Sequence, residues 1–290
     1  MCGRRFLVIY IGLSGWGDHH SLYEGVKPAE KLQTYAGYFP IVELDASFYA
    51  VPPQSSIRKW VDETPASFQF VVKAYQEITG HQRGETPSPF QSKQEMFAAF
   101  LESIQPLAEA GKLAMVLCQF PPWFDVQKKH VAWLRVVREQ LKDFPVALEF
   151  RHESWFLPAY REKTLTLMRE DNWIHSICDE PQAGARSIPT VLEPTDRHKT
   201  LVRMHGRNVH GWNGPSKGQE WRDVRYLYDY NERELAEWKT RLQSLRQQCE
   251  HVYVIFNNNS GGHAAHNARA LIEMMGIEYT DLAPRQLDLF

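Results

Sequence analysis

Eight short apolar runs recur along the chain, and stretches of helical periodicity separate most of them. Most of the runs are continuously apolar and only strand-long, which is typical of strands buried on both faces of a parallel sheet. We place the predicted strands at residues 8–14, 41–48, 68–74, 113–120, 146–150, 174–178, 201–205 and 252–256. This repeated order of strand and helix predicts an α/β fold.

Amphipathic stretches of helical length lie between the strands, and several begin with proline or a small polar residue, as helices often do. They cover residues 28–39, 53–63, 93–110, 127–142, 160–171, 232–247 and 262–275. An open doubly wound sheet would ordinarily carry a glycine fingerprint after its first strand, and the segment from Gly12 to Gly15 does not match it. We therefore predict a single (β/α)8 TIM-type barrel over residues 1–283, followed by a tail over residues 284–290.

Composition narrows the class of protein. A chain of 290 residues that is 43% hydrophobic can bury one large core. Its formal net charge of −2 excludes a globally basic nucleic-acid binder, although a local basic patch stays possible. The four cysteines form no C-x-x-C pair and no apolar run approaches the length of a membrane span. We expect a monomeric, cytoplasmic protein with reduced thiols and no membrane contact.

Polar residues stand at or just after the end of nearly every predicted strand. In a barrel of this type those positions line the functional site. They are Glu43, Asp45, Lys73, Gln119, Glu149, Arg151, His152, Asp179, Arg203, His205, Arg207, Asn257, Asn258 and Asn259. A single residue of this kind often only caps the next helix. Stability, however, does not require so many charged residues around the mouth of the barrel, which is the end formed by the carboxyl ends of its strands. We expect the set to converge at one end of the barrel and to serve a function.

The chemistry of these residues suggests acid–base work beside an anion. Glu149, His152, His205, Lys73, Glu43 and Asp179 are the predicted catalytic residues, since their side chains can exchange protons or, for Lys73, polarise a substrate or form a Schiff base. Arg151 and Arg203 would bind a phosphate or carboxylate with Lys73, and Asn257, Asn258 and Gln119 would add neutral contacts. The alternative for each arginine is an internal ion pair.

A divalent metal is the alternative use of the same residues. Glu43, Glu149, Asp179 and His205 could supply ligands for Zn²⁺ or Mn²⁺, with His152 nearby. No H-x-H or H-E-x-x-H spacing occurs, and neighbouring arginine and lysine side chains would oppose a cation. The sequence is therefore compatible with a divalent metal and with acid–base chemistry that needs no metal.

Aromatic residues are common in the long segment that follows the seventh strand. Tyr228 and Tyr230, close after Arg222 and Arg225, are candidates for contacting a nucleic-acid strand. Trp155, Trp212, Trp221 and Tyr226 are interpreted as loop-packing residues.

Seven segments, in order, resemble the successive motifs of the YecE-like family (domain of unknown function 72). They are Tyr10-Ile-Gly-Leu-Ser-Gly-Trp16, Val42-Glu-Leu-Asp-Ala-Ser-Phe-Tyr49, Phe70-Val-Val-Lys-Ala74, Gln119-Phe-Pro-Pro122, Glu149-Phe-Arg-His-Glu-Ser-Trp155, Arg203-Met-His-Gly206 and Phe256-Asn-Asn-Asn259. Together they span nearly the whole chain. The resemblance implies a barrel with a polar pocket and leaves the reaction open.

The last five residues carry a second resemblance. Gln286, Leu287, Asp288, Leu289 and Phe290 resemble the short peptide with which bacterial DNA polymerases and repair proteins bind the β sliding clamp. The alternative is that Leu289 and Phe290 fold back onto the bottom of the barrel. With the clamp as partner, the favoured hypothesis is an enzyme, a hydrolase or lyase, acting on a nucleic-acid or phosphate-bearing substrate in DNA maintenance. The alternatives are a metabolic TIM-barrel enzyme for a small sugar or acid, and a non-catalytic nucleic-acid or partner-binding adaptor.

Overall fold

The computed structural model describes residues 8–82, 87–184, 187–214 and 224–285, and its eight strands close into one barrel. The strands are β1 (Val8–Ser14), β2 (Ile41–Leu44), β3 (Gln69–Lys73), β4 (Leu113–Gln119), β5 (Val146–Glu149), β6 (Ile174–Asp179), β7 (Lys199–Met204) and β8 (His251–Phe256). Each strand pairs in parallel with the next, and β8 pairs with β1. The predicted α/β (β/α)8 TIM-type barrel is confirmed.

Most α-helices among the described residues lie around the outside of the barrel. The α-helices are α1 (Lys31–Tyr35), α2 (Ala46–Tyr49), α3 (Gln54–Asp62), α4 (Lys93–Glu109), α5 (Lys128–Gln140), α6 (Arg161–Glu170), α7 (Val209–Asn213), α8 (Glu232–Gln248) and α9 (His263–Met275). Between β6 and β7, residues 180–184 and 187–198 form no helix. None of the described helices is both long and apolar enough to cross a membrane.

The second strand ends earlier than its apolar pattern predicts. A strand over residues 41–48 was expected, but β2 stops at Leu44 and the chain turns into α2. The hydroxyl of Ser47 lies 2.8 Å from the carbonyl oxygen of Leu44 and 2.6 Å from that of Lys73. Because this side chain bonds backbone groups at the ends of two strands, the chain leaves the sheet there. Asp45 is thereby placed at the mouth of the barrel.

The barrel interior changes from apolar to polar along its axis. Its floor is a cluster of buried apolar residues that includes Ile41, Ala147 and Leu201. Side chains two residues apart on a strand share a face, so Glu43, Glu149 and Arg203 follow directly above that floor. The alternation of the strands thus builds a charged layer inside the barrel.

The described end of the chain packs on the opposite, amino end of the barrel. The hydroxyl of Tyr279 donates to the carbonyl oxygen of Ile9 at 3.0 Å and accepts from the amide of Ile11 at 3.0 Å. The guanidinium of Arg285 stacks on Tyr38 with 5.2 Å to the ring centre. The candidate clamp-binding residues 286–290 lie outside the described residues, and the division of the chain after residue 283 stays a prediction.

Candidate functional site

Arg203 occupies the centre of the charged layer, between two carboxylates. Its Nε and Nη2 donate to the two oxygens of Glu43 at 2.8 and 2.6 Å. Its Nη1 lies 3.0 Å from both oxygens of Glu149 and 3.3 Å from Oε1 of Gln119. Arg203 and both glutamates are buried, with side-chain exposures of 0–1%. These contacts join β2, β4, β5 and β7 across the barrel.

Arg151, just after β5, lies beside this centre and is also held by two carboxylates. Its Nη2 is 2.8 Å from Oε1 of Glu149, and its Nη1 is 2.7 Å from Oε2 of Glu180. The other oxygen of Glu180 accepts the amide of Ile188 at 2.7 Å, which fixes the segment after β6. Arg151 therefore forms internal ion pairs. This is the alternative that the sequence left open to the binding of a phosphate or carboxylate by Arg151.

Glu180 and Ser176 are site residues that sequence reasoning missed. The hydroxyl of Ser176 donates to Oε2 of Glu149 at 3.0 Å, and Glu180 pairs with Arg151. Asp179 was predicted instead, because it directly follows the predicted strand 174–178. The period of two along a strand would have found the interior pair instead, because Ser176, Cys178 and Glu180 share a face.

Asp179 lies on the other side of β6. Its carboxylate accepts from Nε of Arg207 at 3.1 and 3.0 Å and from the hydroxyl of Tyr230 at 2.8 Å. Tyr230 is buried, and its oxygen also accepts the amide of Gly206 at 2.9 Å. Asp179 therefore fixes the turn after β7, and Tyr230 offers no exposed face to a base.

Burial and neighbouring charges shift the pKa values of the three buried glutamates in different directions. Burial opposes ionisation of Glu149, but the charges of Arg203 and Arg151 outweigh it and hold its pKa well below the usual range. Burial raises the pKa of Glu43 to about 7, and Arg203 offsets this only in part. Burial likewise raises the pKa of Glu180 to about 7. Glu43 and Glu180 can therefore take up or release a proton near neutral pH.

Glu43 forms a carboxyl pair with Asp45 at the mouth. The hydroxyl of Ser14 contacts Asp45 and lies 3.3 Å from Oε1 of Glu43. Burial opposes the charge on Asp45, yet Lys73, Ser14 and a hydrogen bond from Glu43 lower its pKa. Shifts in opposite directions are typical of two carboxyl groups that share one proton. The Asp45 side chain is 36% exposed, so the pair reaches solvent on that side.

Lys73 is the cation next to this pair. Its ammonium lies 3.8 Å from Oδ1 of Asp45 and 4.5 Å from the centre of the Phe48 ring. It donates no hydrogen bond to any of the described residues, and its side chain is 16% exposed. An ammonium has three donors, so Lys73 retains hydrogen-bonding capacity that the two buried arginines have largely used.

His205 is buried beside Arg151 as a neutral imidazole. Burial and the charges of Arg151 and Arg203 hold its pKa well below the usual range. Its Nε2 lies 2.9 Å from Nη2 of Arg151, which can only donate, so Nε2 accepts and Nδ1 carries the hydrogen. The side-chain amide of Asn257 lies 3.0 Å from Nδ1 and would turn its oxygen toward it.

The remaining predicted residues lie around the rim. His152 accepts the amide of Ser154 at 3.2 Å and caps the 3-10 helix Glu153–Phe156. Asn258 donates to Tyr228 O at 2.9 Å and to Oδ1 of Asn267 at 2.8 Å. The hydroxyl of Tyr228 donates to Glu234 at 2.5 Å. These groups bond within the protein, and their roles toward a substrate stay predictions.

The predicted metal ligands do not form one common cluster. Among the described residues, the one group of possible ligands whose atoms lie within 4.8 Å of one another is Glu149, Cys178 and His205. Glu149 already faces two guanidiniums, and burial raises the pKa of the Cys178 thiol well above its usual range. A carboxylate that already bonds two guanidiniums is a poor ligand for a divalent cation, and the guanidiniums themselves repel one.

Aromatic side chains from the segment after β7 cover the charged layer. Trp212 is buried, and the guanidiniums of Arg151 and Arg225 lie 5.4 and 4.2 Å from its ring centre. Tyr226 meets Trp212 edge to face, with 6.2 Å between ring centres, and lies 6.0 Å from the His205 ring. The turn depends on Gly206, whose φ is 84° and where a Cβ would lie 2.4 Å from Cβ of Tyr228. Trp221 and Arg222 lie outside the described residues.

The chain resembles known proteins in both sequence and fold. The family model described as "Protein of unknown function DUF72" matches residues 10–288. UPF0759 protein YunF of Bacillus subtilis (strain 168) is 59% identical over 284 residues, which cover 98% of this chain and 100% of that protein. UPF0759 protein YecE of Escherichia coli (strain K12) is 24% identical over 200 residues, covering 68% of this chain and 69% of YecE. The crystal structure of a DUF72 family protein (EF0366) from Enterococcus faecalis V583 superposes with a TM-score of 0.89 at 38% identity, covering 97% of this chain and 100% of that one.

Proposed function

Because the chain belongs to the DUF72 family, whose description states no function, we propose from the geometry of its own site that it is an enzyme acting on an anionic, phosphate-bearing substrate at the barrel mouth. The carboxyl pair of Glu43 and Asp45 moves the proton, and Lys73 binds the anion. The observation that carries this proposal is the placement of two carboxyl groups, both contacted by the Ser14 hydroxyl, beside an ammonium that donates no hydrogen bond to the described residues.

Asp45 is the member of the pair that meets the substrate, since its side chain is partly exposed and Glu43 is fully buried. A proton taken by Asp45 can pass to Glu43 directly or through the Ser14 hydroxyl, which contacts both carboxyl groups. A pKa of about 7 on Glu43 suits a group that must accept and release a proton at neutral pH. Arg203 and Glu149 hold the pair in place and supply no free charge.

Among phosphate-bearing compounds, we propose nucleic acid as the substrate. The proposed role is DNA maintenance in the cytoplasm. The support is the sequence of residues 286–290 and its resemblance to a β sliding clamp-binding peptide. The three cysteines among the described residues are free and buried, which is compatible with a reducing compartment. Arg285 packs on the amino end of the barrel, so a clamp bound to the tail would leave the mouth accessible.

The clamp proposal predicts a measurable complex. A five-residue peptide buries little area and must be ordered on binding, so we expect a dissociation constant on the order of micromolar. Titration of purified β sliding clamp with the intact protein should show it, and both deletion of residues 286–290 and Leu289→Ala with Phe290→Ala should abolish it. Binding that survives the deletion, or no binding by the intact protein, removes the clamp from the account.

The substrate proposal is tested with damaged and branched DNA oligonucleotides and with simple phosphate esters, each with and without divalent ions. We expect binding and turnover by the intact protein, and Lys73→Gln should raise KM by about ten-fold or more because a hydrogen bond to a charged group is lost. Lys59→Gln, on the outer helix α3, is the matched control. Equal KM values for the two variants would contradict the role of Lys73.

A small metabolite is the second candidate, and one observation favours it. Arg151 and Arg203 are neutralised by carboxylates inside the barrel, and the charges near the mouth are mixed in sign. A long nucleic-acid strand is usually met by a continuous basic surface, whereas a single ammonium suffices for a small sugar phosphate or acid. Turnover of simple phosphate esters or acids without any DNA binding would identify this case. A non-catalytic adaptor would bind DNA and tolerate Glu43→Gln.

A further inference from the structure

A cavity of about 500 Å³ lies beside the mouth of the barrel, between the segment after β2 and helix α4. This volume is in the range of about 300–1,000 Å³ that is usual for small-molecule sites. Three of its lining residues are aromatic: Tyr49 at the end of α2, Tyr75 just after β3, and Phe90 just before α4. The rings of Tyr75 and Phe90 meet edge to face with 5.7 Å between their centres. The cavity therefore offers aromatic surface to a ligand.

Hydrogen bonds hold the walls of this cavity in place. The hydroxyl of Tyr75 donates to Oε1 of Glu77 at 3.1 Å. The side-chain amide of Gln54 donates to the backbone oxygen of Glu102 at 2.8 Å, which joins α3 to α4. Tyr49 is 69% exposed, more than any other large apolar side chain among the described residues. The cavity is thus preformed, and the Tyr49 ring is accessible at its edge.

Phe48 connects the cavity to Lys73. The centre of its ring lies 5.2 Å from that of the Tyr49 ring and 4.5 Å from the Lys73 ammonium. One ring therefore contacts both the cavity wall and the ammonium that we propose to bind phosphate. A ligand that is held by its phosphate at Lys73 can place an attached ring in the cavity.

Glu102 decides which kind of ring fits best. Among the described residues that line the cavity, it is the one with a charged side chain. Its backbone oxygen accepts from Gln54, whereas its carboxylate bonds none of the described residues. A carboxylate only accepts hydrogen bonds, so it suits a ring with an exocyclic amino group, such as adenine or cytosine. The aromatic residues can stack on any base, because every base has a π-face.

We propose that this cavity binds the base of an unpaired nucleotide whose phosphate is bound by Lys73. This inference rests on the proposed function and deepens it, because it adds a base-binding subsite next to the phosphate-binding ammonium. The base lies against the Tyr49 ring, and Glu102 accepts a hydrogen bond from its exocyclic amino group. The base must be unpaired, since pairing and stacking in a duplex would keep it out of the cavity.

The test is calorimetric titration of the full-length protein with dAMP, dTMP and 2-deoxyribose 5-phosphate. We expect dAMP to bind most tightly and the sugar phosphate, which has no base, most weakly. Tyr49→Ala should weaken dAMP binding by about ten-fold, as expected for the loss of a stacking contact, and should leave sugar phosphate binding unchanged. Tyr160→Ala, which removes another exposed tyrosine from the segment after β5, is the control and should bind dAMP as the intact protein does.

A second variant separates hydrogen bonding from stacking. Glu102→Ala should weaken dAMP binding by about ten-fold, because a hydrogen bond to a charged group is lost. It should leave dTMP binding unchanged, because thymine has no exocyclic amino group. Glu109→Ala, on the same helix, is its matched control.

The outcomes distinguish this inference from the proposed function. If either Tyr49→Ala or Glu102→Ala leaves dAMP binding unchanged, or if dAMP binds no more tightly than the sugar phosphate, the base subsite is wrong and phosphate binding at Lys73 stands. A proline-rich peptide that binds the intact protein and not Tyr49→Ala, with no such effect on dAMP, would assign the cavity to a protein partner and also overturn the inference. No binding of any of the three phosphate compounds would overturn both.

Discussion

Arg203→Met is expected to lower the free energy of unfolding by about 3–5 kcal/mol, because it leaves buried carboxylates without their shared guanidinium. Arg203 holds Glu43 and Glu149 at distances of 2.6–3.0 Å in a layer with side-chain exposures of 0–1%. Chemical denaturation of the variant and the intact protein measures the difference. Arg135→Met, which breaks a surface pair 62% exposed on the arginine side, is the control and should cost less than about 1 kcal/mol.

The same layer offers a compensating variant. In Arg203→Met, Glu149 still pairs with Arg151, whereas Glu43 loses its guanidinium. Adding Glu43→Gln removes that unpaired carboxylate, so the double variant should be more stable than Arg203→Met alone. This comparison remains informative if Arg203→Met unfolds at ambient temperature. A loss below about 1 kcal/mol for Arg203→Met, or no recovery in the double variant, would mean that the network does not hold the strands together.

Glu43→Gln is expected to reduce kcat by about a hundred- to ten-thousand-fold on any substrate that the intact protein turns over. Glutamine has nearly the same shape, and its oxygen can still accept one of the two Arg203 hydrogen bonds, so the barrel should stay folded with some loss of stability, because the amide nitrogen faces the other donor. The amide cannot exchange a proton with Asp45. In the intact protein kcat should rise with pH and level off above about 7, the pKa of Glu43, because the carboxyl pair must be able to accept a proton. This rise of kcat with pH should be absent in the Glu43→Gln variant.

Glu109→Gln is the matched control for this prediction. Glu109 lies on α4, outside the barrel, in a pair at 4.0 Å with Arg58. The control should retain the kcat and the pH profile of the intact protein. A folded Glu43→Gln variant with unchanged kcat would exclude the carboxyl pair from the reaction.

The barrel and the residues at its mouth could be predicted because both follow from periodicity. Apolar runs gave the strands, and parallel strands around a barrel bring their carboxyl ends together. The pairing across the mouth could not be predicted in this way. Arg203 bonds Glu43, a residue 160 positions away, and periodicity gives no information on which of the facing charges will pair.

The sequence also could not show which cationic side chains already bond carboxylates and which keep unused hydrogen-bond donors. Arg151, Arg203 and Lys73 look equivalent as positive charges at strand ends. Glu180 makes the difference for Arg151, and it was missed because the search stopped at Asp179. Tyr226 was interpreted as a packing residue, and its ring does pack edge to face against Trp212.

The protonation of Glu43 tests the account most directly, because the proposed chemistry depends on it. Carbon-13 NMR of the glutamate side-chain carboxyl groups, with Glu43→Gln used to assign the signal, follows that proton without requiring a known substrate. The account predicts that the Glu43 carboxyl titrates with a midpoint of about 7. A Glu43 signal that stays in the ionised position from about pH 9 down to about pH 5, as for a carboxylate fixed by its arginine, would contradict it.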